Sequence, residues 1–323
     1  MSEDALLDLD QFHYMAEPNL CQGEQPRTVI LVHTHPANLV IRTVLRTHLP
    51  QETLRDLGMV RIFLMGIASR NQTDYGSVPV SVIKEESRTE GDIVMGNFIE
   101  HYHNLTYKHF MGLSWVTKRC KQTKFVIKMD DDIAVDVFQL EQMISYYLKD
   151  MKNSLVGLVQ VDSPVVRNSS KWQVSKSEYS PNKYPDYLSG WCYIATIDAV
   201  KNLVLQSNLL PFFWIDDVFI TGILAHKLGI NREGINNRFS IHTSALKCCY
   251  DEDHSPYEYY CDYVASPTGG DPIVMTAALS QFKYCFKSGC RKRPSAKILD
   301  RTCVLKVNRN IRTKGVAEIE IIS

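Results

Sequence analysis

Apolar and polar positions fall into blocks along the chain that predict strand, helix and strand in turn. Thr28 to Val32 is a short β-branched apolar run, and Val60 to Met65 is another. Between them, Ala37 to His48 sets Val40, Ile41, Val44 and Leu45 at helical spacing. Asp92-Ile-Val94 predicts a third strand, and Asn97 to Arg119 a long helix with Phe98, Tyr102, Leu105, Phe110, Leu113 and Val116 on one side. Lys124 to Met129 reads as a strand that runs into acid. Further on, Phe138 to Leu148 predicts a helix, Leu155 to Val161 a buried strand and Ser163 to Ser170 a polar loop. Tyr187 to Ala195 predicts a strand, Asp198 to Gln206 a helix, and Val218 to Leu228 a helix entered from Pro211-Phe-Phe-Trp-Ile-Asp-Asp217. Beyond Ile241 the pattern weakens. There Ser266-Pro-Thr-Gly-Gly-Asp-Pro272 is a turn cluster between two cysteine-bearing stretches, which predicts a peripheral C-terminal addition. The alternation implies an α/β fold: a mostly parallel sheet with helices on both faces and ligands beyond the carboxyl ends of the strands.

The 323 residues allow two domains or one large α/β unit, and 45% hydrophobic with 22% charged residues is an ordinary globular composition. Thirty-six basic and thirty-six acidic side chains cancel, so no global field draws the chain to nucleic acid or an acidic membrane. The cancellation hides an asymmetry. Residues 1–26 carry six acids and no Lys or Arg, and read as an acidic, stem-like segment. Residues 283–314 carry eleven Lys or Arg against Asp300 alone, a solvated face or a docking surface for an anionic partner. Six of nine cysteines (Cys248, Cys249, Cys261, Cys285, Cys290, Cys303) lie in the last third, which points to disulfides more than to a zinc knuckle, and an odd count leaves at least one thiol over. With the sequons at Asn71, Asn104 and Asn168, this fits an oxidising lumen. Against that, no run approaches the roughly 18–20 apolar residues of a membrane span, and Met1-Ser-Glu-Asp is acidic where a signal peptide is basic. A trimmed or partial chain and a cytosolic one both fit.

Two acidic clusters could carry chemistry. Asp130-Asp131-Asp132 follows the strand Phe125-Val-Ile-Lys-Met129, and three adjacent carboxylates repel unless a cation offsets them. Hard oxygen ligands at a strand end suit Mg²⁺ or Mn²⁺ together with a diphosphate, although alone such a triplet also fits an exposed turn. Asp216-Asp217 follows the apolar Phe212-Phe-Trp-Ile. Partial burial beside another acid raises a carboxylate's pKa toward the range useful for a general base, while an Asp before Val218 would equally serve as a helix N-cap.

Read in order, seven motifs carry a resemblance: Arg42-x-x-x-Arg46, Phe63-Leu-Met-Gly66, Glu86 with Gly91-Asp92-Ile93, Tyr102-His-Asn-Leu-Thr-Tyr-Lys108, Lys128-Met-Asp-Asp-Asp132, Tyr184-Pro-Asp-Tyr187 with Gly190, and Asp216-Asp-Val218 with Gly222. Together they resemble the β1,3-galactosyltransferase and β1,3-N-acetylglucosaminyltransferase family, from about Thr28 to Ile241. The resemblance implies a GT-A (Rossmann-like) fold over residues 27–242, followed by a cysteine-rich basic extension over 243–323. It also implies type II anchoring in the Golgi by a segment absent here, and metal-dependent, inverting transfer of a hexose from a UDP-sugar donor to a glycan acceptor on protein or lipid. Asp132 would then ligate Mn²⁺, with Mg²⁺ as an alternative, and Asp130 and Asp131 would contact the nucleotide or order its loop. Asp217 would deprotonate the acceptor hydroxyl. Arg42, Arg46, Asp92 and Lys108 are similar to donor-site positions, Lys108 as a point charge for phosphate. His242 resembles a histidine that some relatives use as a metal ligand, and Trp172, Tyr187 and Trp191 could stack on acceptor sugars or simply pack in the core.

Three positions depart from the family pattern. His48-Leu49 replaces Thr-Trp, Cys192 stands where glycine is usual, and Asp216 replaces a glutamate, shortening its reach by one methylene so that a partner could be lost. Asp132 and Asp217 are retained, which favours an enzyme over a non-catalytic lectin-like or chaperone relative. A dinucleotide enzyme would need a glycine-rich turn after the first strand, and His33-Thr-His-Pro-Ala-Asn38 offers none.

Overall fold

The structure, a computed structural model, describes residues 6–23, 25–68, 78–168 and 171–303. Its strands are β1 (Tyr14–Ala16), β2 (Thr28–His33), β3 (Met59–Ile67), β4 (Ile93–Ile99), β5 (Phe125–Asp130), β6 (Ile133–Val135), β7 (Ser154–Gln160), β8 (Tyr187–Thr196), β9 (Asn231–Gly234) and β10 (Ala265–Pro267). Its helices are α1 (Leu39–His48), α2 (Gln51–Asp56), α3 (Val80–Glu90), α4 (Leu105–Arg119), α5 (Val137–Met143), α6 (Ile197–Leu205), α7 (Ala225–Lys227), α8 (Thr243–Lys247), α9 (Pro272–Ser288) and α10 (Leu299–Thr302). π-helical turns at Ile144–Leu148 and Val218–Leu224 follow α5 and precede α7. The chain forms two compact units, one of residues 1–42, 51–130 and 150–236, the other of 43–50, 131–149 and 237–323.

The first unit is built on an eight-stranded sheet in the order β1-β4-β3-β2-β5-β8-β7-β9. Strands β4, β3, β2 and β5 run parallel, β8 runs antiparallel to both β5 and β7, and β9 is parallel to β7. Every residue of β2 is buried, as a strand covered on both faces must be, and this is why it reads as a continuous apolar run. From β2 the order runs to β3 on one side and β5 on the other, so the switch point lies between β2 and β5, where ligands bind in open α/β sheets. In that register His33 is opposite Asp130. Helix α4 packs on β2, β3 and β4. A Cβ on Gly112 would collide with Leu64 and Leu31, so glycine there lets the helix approach the sheet.

The helix predicted from Asn97 begins eight residues later. Asn97 and Phe98 continue β4 because the backbone is claimed by its neighbours, Asn97 N–H donating to His13 (3.3 Å) and Glu100 N–H to Ile67 (2.7 Å). The segment read as stem-like is folded onto this unit from Leu6 onward: β1 pairs with β4, a disulfide joins Cys21 to Cys120, and Glu17 accepts from Arg119 (2.9 Å) and Trp115 (3.1 Å).

In the second unit β6 pairs antiparallel with β10, Val135 opposite Ala265 and Ile133 opposite Pro267. The cysteine-bearing part, expected as a peripheral addition, supplies the strand that pairs with the one starting just after Asp132. Helix α9, which the sequence pattern did not predict, is capped by Asp271, whose side chain accepts from Ile273 (2.8 Å) and Val274 (3.4 Å). Pro272 occupies its first turn and Gly289, at φ 73°, ends it. Disulfides link Cys248 to Cys303, Cys249 to Cys261 and Cys285 to Cys290, leaving Cys192 of the first unit as a free, buried thiol. Among the described residues, no helix is long and apolar enough to cross a membrane.

Candidate active site

The site in the first unit is assembled by β5, β8, α4 and the π-helical turn that starts at Val218. Asp217 caps that turn, Oδ1 accepting from Val218 N–H (2.8 Å), while Oδ2 accepts from Gly190 N–H of β8 (3.0 Å). The capping reading of this residue is thus met. A Cβ on Gly190 would lie 2.7 Å from the Asp217 Cβ, so only glycine allows the carboxylate this close to β8. Gly190→Ala is expected to push Asp217 aside and lower kcat by about a hundredfold, since a displacement near 1 Å costs that much. Steady-state kinetics on the folded variant would check this, and an unchanged kcat would contradict it.

Lys128, fully buried in β5, sits among the acids. Its Nζ donates to Asp130 Oδ1 (2.6 Å) and to the Gly190 carbonyl. Burial favours the neutral amine, but the charges of Asp130 and Asp216 outweigh it and raise the Lys128 pKa, so it stays an ammonium. Asp216 Oδ2 pairs with His109 Nδ1 (2.8 Å), and His109 Nε2 meets the Tyr193 hydroxyl (2.6 Å). Burial acts to raise the Asp216 pKa, yet the His109 hydrogen bond and the Lys128 charge together hold it below the ordinary carboxylate range. Asp217 goes the other way: burial, and then the charge of Asp216, push it up to about 7. Two adjacent acids thus divide into one that keeps its charge and one poised to take a proton at neutral pH. His33 lies edge to face on His109, ring centroids 5.1 Å apart, and neither of its ring nitrogens has a hydrogen-bond partner. Burial, with Lys128 nearby, keeps it neutral.

Three residues expected at the donor site hold internal partners. The fully buried Arg42 grips Glu86 with Nε (2.8 Å) and Nη2 (2.7 Å), and donates to the carbonyls of His35 (2.8 Å) and Pro36 (2.9 Å). Its guanidinium fixes the loop after β2. Lys108 pairs with Glu100 and donates to the Thr34 carbonyl (2.9 Å), while Glu100 accepts from Gly66 N–H (2.7 Å), so this ammonium ties strand ends to α4 instead of standing as a point charge. Asp92 pairs with Arg61 at 3.4 Å, both buried. Arg46, one turn beyond Arg42 on α1, is half-buried.

Of the triplet, Asp130 belongs to the first unit, and Asp131 and Asp132 begin a stretch of the second. Asp131 is buried; Asp132 is half-buried, and its carbonyl accepts from Thr268 N–H (2.8 Å) and Oγ1 (2.7 Å). His242 precedes α8 and is half-buried. No group of three or more His, Cys, Asp or Glu able to hold a metal is present among the described residues. Trp172 lies beneath the Lys171 ammonium (4.7 Å), which also covers the Tyr102 ring (5.5 Å). Tyr187 is half-buried against Tyr184, and Trp191 is half-buried in β8. Of the sequons, Asn104 donates its amide to the Ile99 carbonyl (2.8 Å) and Thr106 is buried on the Phe213 carbonyl (2.8 Å). Asn168 is exposed, and Asn71 lies outside the described residues.

Residues 41–236 match the sequence profile of the family described as Galactosyltransferase. The chain belongs to the galactosyltransferase family. It is 29% identical over 231 residues to beta-1,3-galactosyltransferase 5 of Gorilla gorilla gorilla, covering 70% of this chain and 74% of the relative. It is 29% identical over 282 residues to beta-1,3-galactosyltransferase brn of Drosophila melanogaster, covering 85% and 81%, and 30% identical over 217 residues to beta-1,3-galactosyltransferase 1 of Mus musculus, covering 67% and 64%. Among solved structures it is similar to a glycosyltransferase involved in glycosylating the major capsid of PBCV-1, with TM-score 0.36, 10% identity, and coverage of 79% of this chain and 99% of that one.

In this galactosyltransferase-family chain the shorter Asp216 is partnered by His109 on α4. His109, Tyr193 and the charge-balancing role of Lys128 went unread in the sequence. The signal for Lys128 was available: a lysine inside an otherwise apolar strand, two residues before a run of acids. Nothing local marks His109, whose partner is 107 residues away.

Proposed function

We propose that this glycosyltransferase inverts the anomeric centre as it moves galactose, N-acetylglucosamine or a related hexose from a UDP-sugar to the 3-hydroxyl of a glycan on protein or lipid. The observation that carries the reading is Asp217: buried, gripped by two backbone N–H groups, and raised to about 7 beside the ionised Asp216. A carboxylate so held can take the acceptor's hydroxyl proton, and one base suffices for a single displacement. Asp130 and Asp131 are assigned to the nucleotide, as is Arg46; Arg42, Asp92 and Lys108 would serve it by fixing the loops they brace. Trp172, Tyr187 and Trp191 are the aromatic candidates on the acceptor side.

Mn²⁺, or Mg²⁺ in its place, is the proposed cofactor, held by Asp132 with His242. Hard carboxylate oxygen suits either ion, and with no three-ligand protein group among the described residues, the ion would draw further ligands from the diphosphate. When bound it would stabilise charge on the departing UDP. The four disulfides support an oxidising compartment, for which we propose the Golgi lumen.

The test is UDP release from UDP-galactose and UDP-N-acetylglucosamine across an acceptor panel, with Mn²⁺ or with EDTA. Release with Mn²⁺ and its loss in EDTA are expected. UDP binding without metal-dependent turnover on any acceptor would point instead to a lectin-like or chaperone module.

A further inference from the structure

Behind Asp216 lies a buried chain of polar groups that the transfer chemistry does not by itself require. His109 and Tyr193 are fully buried, and Asp216 is nearly so. The Tyr193 hydroxyl has the His109 Nε2 at 2.6 Å as its hydrogen-bond partner, and a buried phenol needs an acceptor for its hydrogen. Nε2 is therefore the accepting nitrogen. A neutral imidazole then carries its single hydrogen on Nδ1, which faces Asp216 Oδ2 at 2.8 Å, and burial does keep this imidazole neutral. The direction of donation is fixed along the whole chain: Tyr193 to His109, His109 to Asp216.

We infer that His109 is a positioning residue: by donating from Nδ1 it keeps Asp216 an acceptor-only carboxylate, and so makes Asp217 the member of the pair that accepts the proton. The inference rests on Asp217 being the base of the transfer proposed above. It is electrostatic as well as geometric. Two adjacent carboxylates in one buried place share the protons between them, and whichever has the better donor keeps its charge. Asp217 has only backbone N–H partners, whereas Asp216 has the imidazole. The other ionisable groups that interact with the pair are Lys128 from β5, Tyr193 and Tyr187 from β8, Tyr184 just before it and Tyr102 ahead of α4, while Asp130 and His33 act on it through Lys128 and His109. Lys128 favours charge on both acids, and on Asp216 the more, so it acts in the same sense as His109. What sets His109 apart is a side-chain hydrogen bond made to one member of the pair alone.

The experiment separates the two imidazole nitrogens. An asparagine amide nitrogen stands close to the position of Nδ1, and a glutamine's close to that of Nε2. His109→Asn thus keeps the donor to Asp216, His109→Gln keeps only the contact with Tyr193, and His109→Leu keeps neither. Carbon-13 labelling of the aspartate carboxyls in the full chain reads which acid carries the step near neutral pH, and the pH profile of kcat is measured alongside. In the wild type the step should lie on Asp217, and nitrogen-15 shifts should show His109 protonated at Nδ1. In His109→Gln and His109→Leu the step should move to Asp216, and the acid limb of kcat should shift by about one unit to lower pH, with donor KM unchanged. His109→Asn should behave as the wild type.

A merely space-filling role predicts the reverse order, with the larger glutamine the better substitute. The inference is overturned if the step stays on Asp217 in the glutamine and leucine variants. Should neither variant fold, a wild-type His109 protonated at Nε2 overturns it equally. If the wild type carries its step on Asp217 but releases no UDP from any donor, the transfer reading fails and the positioning role stands.

Discussion

Asp217→Asn is expected to lower turnover by about 10² to 10⁴, the usual worth of a positioned general base, while leaving UDP binding as it is. The substitution preserves volume. It removes the proton-accepting oxygen and sets an amide N–H against one of two backbone donors, Gly190 N–H or Val218 N–H, each of which now faces Asp217 within 3.0 Å. The turn at Val218 keeps one capping acceptor, so the fold should survive. Single-turnover UDP release, compared with UDP affinity by titration calorimetry, separates loss of chemistry from loss of binding. A fully active variant would move the base elsewhere.

Lys128→Met is expected to destabilise the protein by about 3–5 kcal/mol, the range for removing one partner of a buried ion pair. The side-chain volume is nearly kept, so packing contributes little. What is lost is the cation that balances Asp130, Asp216 and Asp217, together with the donor to the Gly190 carbonyl. Because the folded-state pKa of this lysine is raised, its contribution is present in full below the unfolded lysine value and disappears only as pH rises through the folded one. The deficit should therefore appear undiminished at pH 7, where urea unfolding measures it. A loss under about 1 kcal/mol would mean the acids are stabilised without this charge.

The strands flanking the switch point were legible because burial on both faces leaves a largely apolar run, continuous from Val29 to Val32 in β2 and interrupted by Lys128 in β5. The start of α4 was not, since Asn97 and Phe98 suit a helix face as well as a strand and only pairing with β1 and β3 decides. Helix α9 had its signals in place, with Asp271, Pro272 and Gly289 at the correct positions, but the turn-rich Ser266 to Pro272 stretch drew the reading toward an irregular tail. In the site, the acids were visible because they cluster in sequence. Their partners were not, since His109 and Tyr193 come from elements far along the chain. Arg42 and Lys108 show the same limit: a cation near a strand end suggests phosphate, and nothing local marks Glu86 and Glu100 as the carboxylates they pair with.

The pairing of β10 with β6 bears on how relatives of this chain can be recombined. A chimera joined at residue 242 would inherit the acidic triplet from one parent and the strand beside it from another. Residue 268 of the donor tail would then decide whether the carbonyl of Asp132 keeps the two hydrogen-bond donors that Thr268 now supplies. The profile that identifies the family ends at residue 236, so grafts designed on that boundary would divide a module the fold treats as one.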